Sequence, residues 1–136
     1  MQNISPDIWG KHGWKFMHYI TLAYPDKPTE EDKKAIKIYF TSVGKVLPCY
    51  SCRLNYEKHL QKYPLTDTVV SSEKNLSKWL VDIHNEVNEV NGKHKYTIGE
   101  FYGEYLNQPT EYCYHNYVLM FVLVIIVIIF FTRRFI

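Results

Sequence analysis

The chain has 136 residues, with 16 Lys and Arg against 14 Asp and Glu, 46% hydrophobic residues and three cysteines. Arg133 and Arg134 account for the whole net charge of +2, so the rest carries no electrostatic case for nucleic-acid binding. Three cysteines are too few for a disulfide-rich secreted scaffold, and the length sets the expectation of one domain with a single core.

Met1–Lys11 has neither the basic stretch nor the apolar run of a signal peptide, so none is expected. Ser5-Pro6-Asp7 reads as a helix start, with serine as cap, proline in the first turn and an acid at the positive end of the dipole. This first helix is expected to run to about Tyr24, before Pro25. Trp14, Met17, His18 and Thr21 share one of its faces. Gly10 and Gly13 each cost about 1 kcal/mol inside a helix relative to alanine. They mark either a close approach of a neighbour or ligand, or an irregular first turn.

Thr29-Glu30-Glu31-Asp32 opens a second helix, with Ile36, Tyr39, Phe40 and Val43 as its buried stripe. It ends at Leu47-Pro48. A third helix begins at the Cys49-x-x-Cys52 pair and continues through Leu54, Tyr56 and Leu60 to Tyr63-Pro64. A cysteine near the first turn of a helix faces unpaired N–H groups and the positive end of the dipole, which favours its thiolate. The spacing allows an easily reduced disulfide. By itself such a pair binds metal about half of the time, with redox and structural roles sharing the rest.

Leu65–Val70 reads as a connecting loop. Ser71-Ser72-Glu73 opens a fourth helix that ends near Asn91-Gly92, with Leu76, Leu80, Ile83, Val87 and Val90 as its apolar stripe. Beside it runs a polar stripe of His84, Asn85, Asn88 and Asn91. Such a stripe is either a solvated helix edge or a wall that holds a heteroatom-rich ligand. Trp14 and His18, one turn apart, are either core residues or a stacking wall opposite it. Thr97-x-x-Glu100 is a capping box for a short fifth helix carrying Phe101, Tyr102 and Tyr105. No alternating run suggests a strand, so the domain is expected to be an all-α bundle.

Residues 108–116 form a polar linker within the stretch Asn107–Asn116. From Tyr117 to Phe131 every residue is apolar or aromatic, and no charge falls between Glu111 and Arg133. Residues 117–132 are therefore expected to form a C-terminal transmembrane helix, although a span takes about 20 residues. Residues 133–136 would be a basic tail. Without a signal to carry the domain across, a C-terminal anchor with a cytosolic domain is expected; Arg133 and Arg134 pull the other way under the positive-inside rule.

Three motifs in order carry a family resemblance: Trp14-x-x-x-His18 running to Ala23-Tyr24-Pro25, then Pro48-Cys49-x-x-Cys52, then His84-Asn85-x-Val87-Asn88 followed by Gly92-Lys93. Over roughly Ile8 to Leu106 the chain resembles the Erv/ALR family of FAD-linked sulfhydryl oxidases. The resemblance implies a four-helix bundle with a short fifth helix over residues 1–107, usually a homodimer, holding FAD. It implies that Cys49 and Cys52 are the redox disulfide beside the isoalloxazine. Trp14, His18, His84, Asn85, Val87, Asn88 and Lys93 match positions lining the FAD pocket; Gly10, Lys11 and Tyr96 flank it. Tyr105 stands about where many members place a tryptophan.

The implied activity is disulfide formation in reduced substrate proteins or a thioredoxin-like carrier. Electrons would pass from thiols through Cys49–Cys52 to FAD and on to O2, giving H2O2. Asn75 and Ile98 stand where many members carry a structural disulfide. A second, distal C-x-x-C is reduced here to Cys113, which is open to roles as a shuttle thiol, an intersubunit crosslink or an inert or acylated cysteine. The small size, missing pair and apolar tail look most like members encoded by large DNA viruses, for which a virion or host membrane would be the location. The alternative is a non-enzymatic, membrane-anchored zinc module built on Cys49 and Cys52 with histidines or Cys113. It leaves the Trp14, His18 and His84 to Asn88 positions without a task.

Overall fold

The computed structural model describes residues 2–107 and 120–126. Among residues 2–107 the α-helices are, in order, α1 (Pro6–Leu22), α2 (Glu30–Val46), α3 (Tyr50–Lys62), α4 (Glu73–Val90) and α5 (Ile98–Leu106), with a 3-10 turn at Val69–Ser71 before α4. The chain forms two compact units, Met1–Phe101 and Tyr102–Ile136. The first contains the helical bundle and both cysteines of the C-x-x-C pair.

The helix starts follow from local chemistry. Ser5 Oγ accepts from the Asp7 N–H at 3.3 Å, with Pro6 in the first turn of α1. At α2, Thr29 Oγ1 accepts from the Asp32 N–H at 3.2 Å while the Asp32 carboxylate accepts from the Thr29 N–H at 2.8 Å. The same reciprocal box forms at α5, where the Glu100 carboxylate accepts from the Thr97 N–H at 2.7 Å and Thr97 Oγ1 from the Glu100 N–H at 3.2 Å. Each box satisfies two N–H groups that a helix start otherwise leaves open.

In the first unit α1 packs on α4 and α2 on α3, and the 3-10 turn packs against both α2 and α4. Met17, Ile36, Phe40, Leu76, Trp79, Leu80 and Ile83 form the buried centre. Phe40 meets Trp79 edge-to-face at 5.0 Å. Burying side chains of this size stabilises by about 1.5–3 kcal/mol each. Several of the polar groups carried inside are hydrogen-bonded, as burial requires. Tyr56 Oη donates to Phe40 O at 3.0 Å, Tyr24 Oη to Val70 O at 3.0 Å, and Trp79 Nε1 to Tyr63 O at 2.8 Å. Gly44 of α2 lies under the Tyr56 ring, with no room for a Cβ, so α3 seats closely on α2.

One position of the expected α4 stripe is not core: Val90 is 82% exposed. Leu54 of α3 is also exposed. The last turn of α4 runs past the packed centre, and α3 commits only Tyr56 fully to it. The expected loop at 65–70 in turn contains part of the 3-10 turn, with Val70 fully buried.

The expected C-terminal transmembrane helix is a correction. Among the described residues no helix is long and apolar enough to cross a membrane. In the second unit residues 120–126 are helical and exposed. That expectation rests on the uniformly apolar run at 117–131, with tyrosines before it and Arg133 and Arg134 after it. The linker at 108–116, Cys113, the tail at 133–136 and the rest of 117–132 lie outside the described residues.

Candidate active site

Pro48 stops the chain between α2 and α3, and Cys49 takes the N-cap position of α3 with extended backbone. Cys49 and Cys52 form a disulfide, their Cα atoms 5.1 Å apart. Cys49 Sγ also accepts from the Cys52 N–H at 3.2 Å and lies 3.2 Å from Ser51 Oγ. Cys49 is 4% exposed, and Cys52 is half-buried. With the two sulfurs bonded to each other, neither serves as a zinc ligand in this state.

A strap of N-terminal chain fixes the same turn. Asn3 Oδ1 accepts from the Tyr50 N–H at 2.9 Å, and the Ile4 N–H donates to Pro48 O at 2.8 Å. Trp9 Nε1 holds the strap by donating to Ile4 O at 3.2 Å. These bonds bracket Cys49 on both sides. Arg53 donates to Leu47 O and lies over the Tyr50 ring, 5.6 Å from its centroid.

The second cluster joins α1 to α4. The Trp14 and His84 rings stack at 4.1 Å with 10° between their planes. His18 Nε2 and His84 Nδ1 are 2.9 Å apart, sharing one proton as a hydrogen bond. Phe101 tilts onto His18 at 4.8 Å. Burial drives the His18 pKa down to about 3, with the neighbouring His84 adding to the effect. Burial, with help from the Lys93 charge, lowers His84 to about 4. Both imidazoles are therefore neutral at pH 7, and one nitrogen of the facing pair donates while the other accepts.

Beneath His18 runs a buried hydroxyl chain. Thr21 Oγ1 donates to His18 O at 2.8 Å, and Ser77 Oγ lies 3.0 Å from Thr21 Oγ1 and 2.7 Å from Glu73 Oε1. Thr21 and Ser77 are both fully buried, so this link sets α1 against α4 at the level of the histidines.

The amide stripe divides by role. Asn85 is bonded to both backbone groups of Tyr96: its Nδ2 donates to Tyr96 O and its Oδ1 accepts from the Tyr96 N–H, each at 2.8 Å. Tyr96 in turn lies 6.0 Å from the His84 ring. Asn88 is buried at 5%, and its carbonyl accepts from the Lys93 N–H at 2.8 Å around Gly92 with φ +63°. Asn91 Nδ2 bonds back to Val87 O at 2.8 Å. Val87 is half-buried and Lys93 exposed.

Of the residues expected at the site, Trp14, His18, His84, Asn85 and Tyr96 are therefore one connected group, with Val87, Asn88 and Lys93 on the adjoining end of α4. Gly10 and Lys11 lie on the first turns of α1, Gly10 half-buried and Lys11 exposed. Tyr105 lies on α5 in the second unit. Asn3 escapes the sequence reading, and Phe101 is read as part of the fifth helix but not as a neighbour of His18. Only the capping box before Phe101 hinted at an ordered element there, and nothing local tied Asn3 to the redox turn. Among the described residues no group of three or more His, Cys, Asp or Glu is gathered to hold a metal.

The model of the Erv1/Alr family matches residues 11–106. The chain is 54% identical over 97 residues to a probable FAD-linked sulfhydryl oxidase of Acanthamoeba polyphaga mimivirus, covering 71% of this chain and 68% of that protein. It is 35% identical over 97 residues to a putative FAD-linked sulfhydryl oxidase of Invertebrate iridescent virus 6, covering 68% and 87%. The match to the FAD-linked sulfhydryl oxidase ERV1 of Arabidopsis thaliana is 33% over 90 residues and spans about half of that relative (46%). The fold is that of the yeast Erv1 core, with a TM-score of 0.71 over 80% of this chain and 90% of that one at 22% identity. It also matches the FAD binding domain of yeast Erv1 at 0.70, covering 76% and 95% at 23% identity.

Proposed function

Since the chain belongs to the Erv1/Alr family, we propose that it is an FAD-linked sulfhydryl oxidase that makes disulfide bonds in protein substrates through Cys49 and Cys52. The observation that carries this is the disulfide itself. It caps a helix, with a backbone N–H on one sulfur, an arrangement made for reversible thiol exchange. The same unit offers a wall of stacked rings in Trp14 and His84.

The residues fit a flavin dinucleotide. Trp14 and His84 present flat faces for stacking. Asn88 supplies an amide next to them, and Lys93 and Lys11 are cations suited to a pyrophosphate. Neutral His18 and His84 offer both donors and acceptors to heteroatoms of a ring system. Asn85 and Tyr96 hold the α4–α5 connection in place beside them. When bound, FAD supplies the two-electron chemistry, taking electrons from the reduced cysteine pair and passing them to O2 to give H2O2.

The protein's own steps are two thiol–disulfide exchanges. A substrate thiolate attacks Cys49 Sγ; the Cys49–Cys52 bond breaks and its electron pair leaves on Cys52. The substrate's second thiolate then attacks the substrate sulfur of the mixed disulfide and releases Cys49 as a thiolate. The net result is an oxidised substrate and a reduced pair, with two protons given up by the substrate thiols. Reduced thiol proteins or a thioredoxin-like carrier are the partners this chemistry takes. Ile8, Phe16 and Tyr19 lie exposed along one side of α1, and this supports pairing with a second copy.

The test is Cys52→Ala. The variant is expected to keep bound FAD and to lose dithiol-dependent oxygen uptake. Normal oxidation of dithiothreitol by this variant would remove the assignment.

A further inference from the structure

We propose that the Ser51 hydroxyl is a catalytic hydrogen-bond donor that stabilises the Cys49 thiolate when it leaves the substrate. The inference rests on the redox reading of the Cys49–Cys52 pair above. Ser51 Oγ lies 3.2 Å from Cys49 Sγ. A disulfide sulfur has no hydrogen, so in this contact the hydroxyl is the donor. Cys49 Sγ has one other protein donor in the described site, the Cys52 N–H at 3.2 Å.

The burial of Cys49 gives this contact its weight. At 4% exposure, a thiolate formed there gets little water. A buried charge without donors is costly, and each donor present counts for more than it would in solvent. Ser51 is itself exposed, so its hydroxyl can stay in place through the exchange without opening the fold.

The step is the second exchange. The substrate's free thiolate attacks the substrate sulfur of the mixed disulfide. The substrate's own S–S bond forms, the bond from substrate to Cys49 breaks, and its electron pair leaves on Cys49 Sγ. Ser51 keeps its proton and bonds to the departing charge. A leaving thiol of lower pKa departs faster, so the hydroxyl speeds release of oxidised substrate. Ser51 and the Cys52 N–H act together on one sulfur, which separates the two cysteines chemically although they are only three residues apart.

The experiment uses the full flavin-loaded chain carrying Cys52→Ala, so that Cys49 is a free thiol. The pH dependence of its alkylation by iodoacetamide is followed at Cys49 by peptide mass spectrometry, with Ser51 intact, as Ser51→Ala and as Ser51→Thr. Loss of one hydrogen bond to a charged group is expected to raise the midpoint by about one pH unit in Ser51→Ala. Ser51→Thr, which keeps the hydroxyl, should stay with the parent. Equal midpoints in all three proteins, or a threonine variant shifted as far as alanine, would overturn the proposal. The midpoint is read without turnover, so its failure leaves the oxidase reading standing. Absence of flavin or of dithiol oxidation in the parent chain would sink that reading without moving the midpoint.

Discussion

Asn85 satisfies the N–H and the C=O of Tyr96 with one side chain, at 2.8 Å each. The two residues are eleven apart in sequence, and the bonds close the turn that follows α4 back onto it. The connection carrying Lys93, Tyr96 and the cap of α5 is thereby fixed beside His84. Asn85 acts on the candidate flavin site by holding its rim.

Replacing Asn85 with alanine removes both bonds and leaves two part-buried backbone groups to find water. Stability in urea should fall by roughly 2 kcal/mol, at about 1 kcal/mol per net hydrogen bond, and bound FAD should be lost more readily on dilution. Asn85→Asp keeps the acceptor and loses the donor, so it should fall in between. A variant as stable as the parent would mean that water replaces the amide at no cost.

Acid should destabilise the flavin-free chain before its carboxylates begin to titrate. His18 and His84 have pKa values of about 3 and 4 in the fold against about 6.5 unfolded. The unfolded chain therefore binds more protons in this window, and the stability present above pH 6.5 is lost as pH falls from there towards 4. His59, also lowered by burial, adds to the same trend. The urea midpoint should decline steadily between pH 6.5 and 4.5. A flat midpoint across that window would show that the two imidazoles are not buried as neutral groups.

Gly44→Ala tests how closely the redox helix must seat. The new Cβ would meet the ring of Tyr56, which is buried and tied to Phe40 O at 3.0 Å. Overpacking of this kind typically costs 1–3 kcal/mol. A thermal melt should show it, together with slower reoxidation of the Cys49–Cys52 pair as α3 is pushed off α2. An unchanged melting temperature would mean that the ring moves aside freely.

Much of this arrangement was legible because its causes are local. The caps at Ser5, at Thr29 with Asp32 and at Thr97 with Glu100 were readable from residues within three positions of each other. Cys49 at a helix start followed from Pro48 in the same way. The α1 face of Met17, His18 and Thr21 followed from spacing, and these three are buried. What stayed hidden depends on pairing across the chain. His18 and His84 are 66 residues apart, and periodicity alone cannot tell a histidine on a solvated edge from one stacked under a tryptophan. The Thr21–Ser77 link and the Asn3 strap are of the same kind. Val90 shows the converse failure: it repeats in the right phase, but the helix it continues has already left the core. Among the described residues no helix is long and apolar enough to cross a membrane, although the apolar run at 117–131 suggested one.

Asn3→Ala releases the strap from the Tyr50 N–H. The loss of a side-chain cap on a helix start costs about 1 kcal/mol, measurable as a lower urea midpoint. Because the strap brackets Cys49, the same variant should let dithiothreitol reduce the disulfide faster in stopped-flow. Unchanged stability together with an unchanged reduction rate would make the strap a passive contact.

The central claim is that Cys49 and Cys52 feed electrons from thiols to a bound flavin. The most direct measurement is the visible spectrum of the purified chain under anaerobic dithiothreitol, alongside its Cys52→Ala variant. Both proteins should carry a flavin band at about 450 nm. The band should bleach in the parent, return on admission of oxygen, and persist in the variant. A colourless folded chain, or a variant whose flavin bleaches as fast as the parent's, would contradict the account.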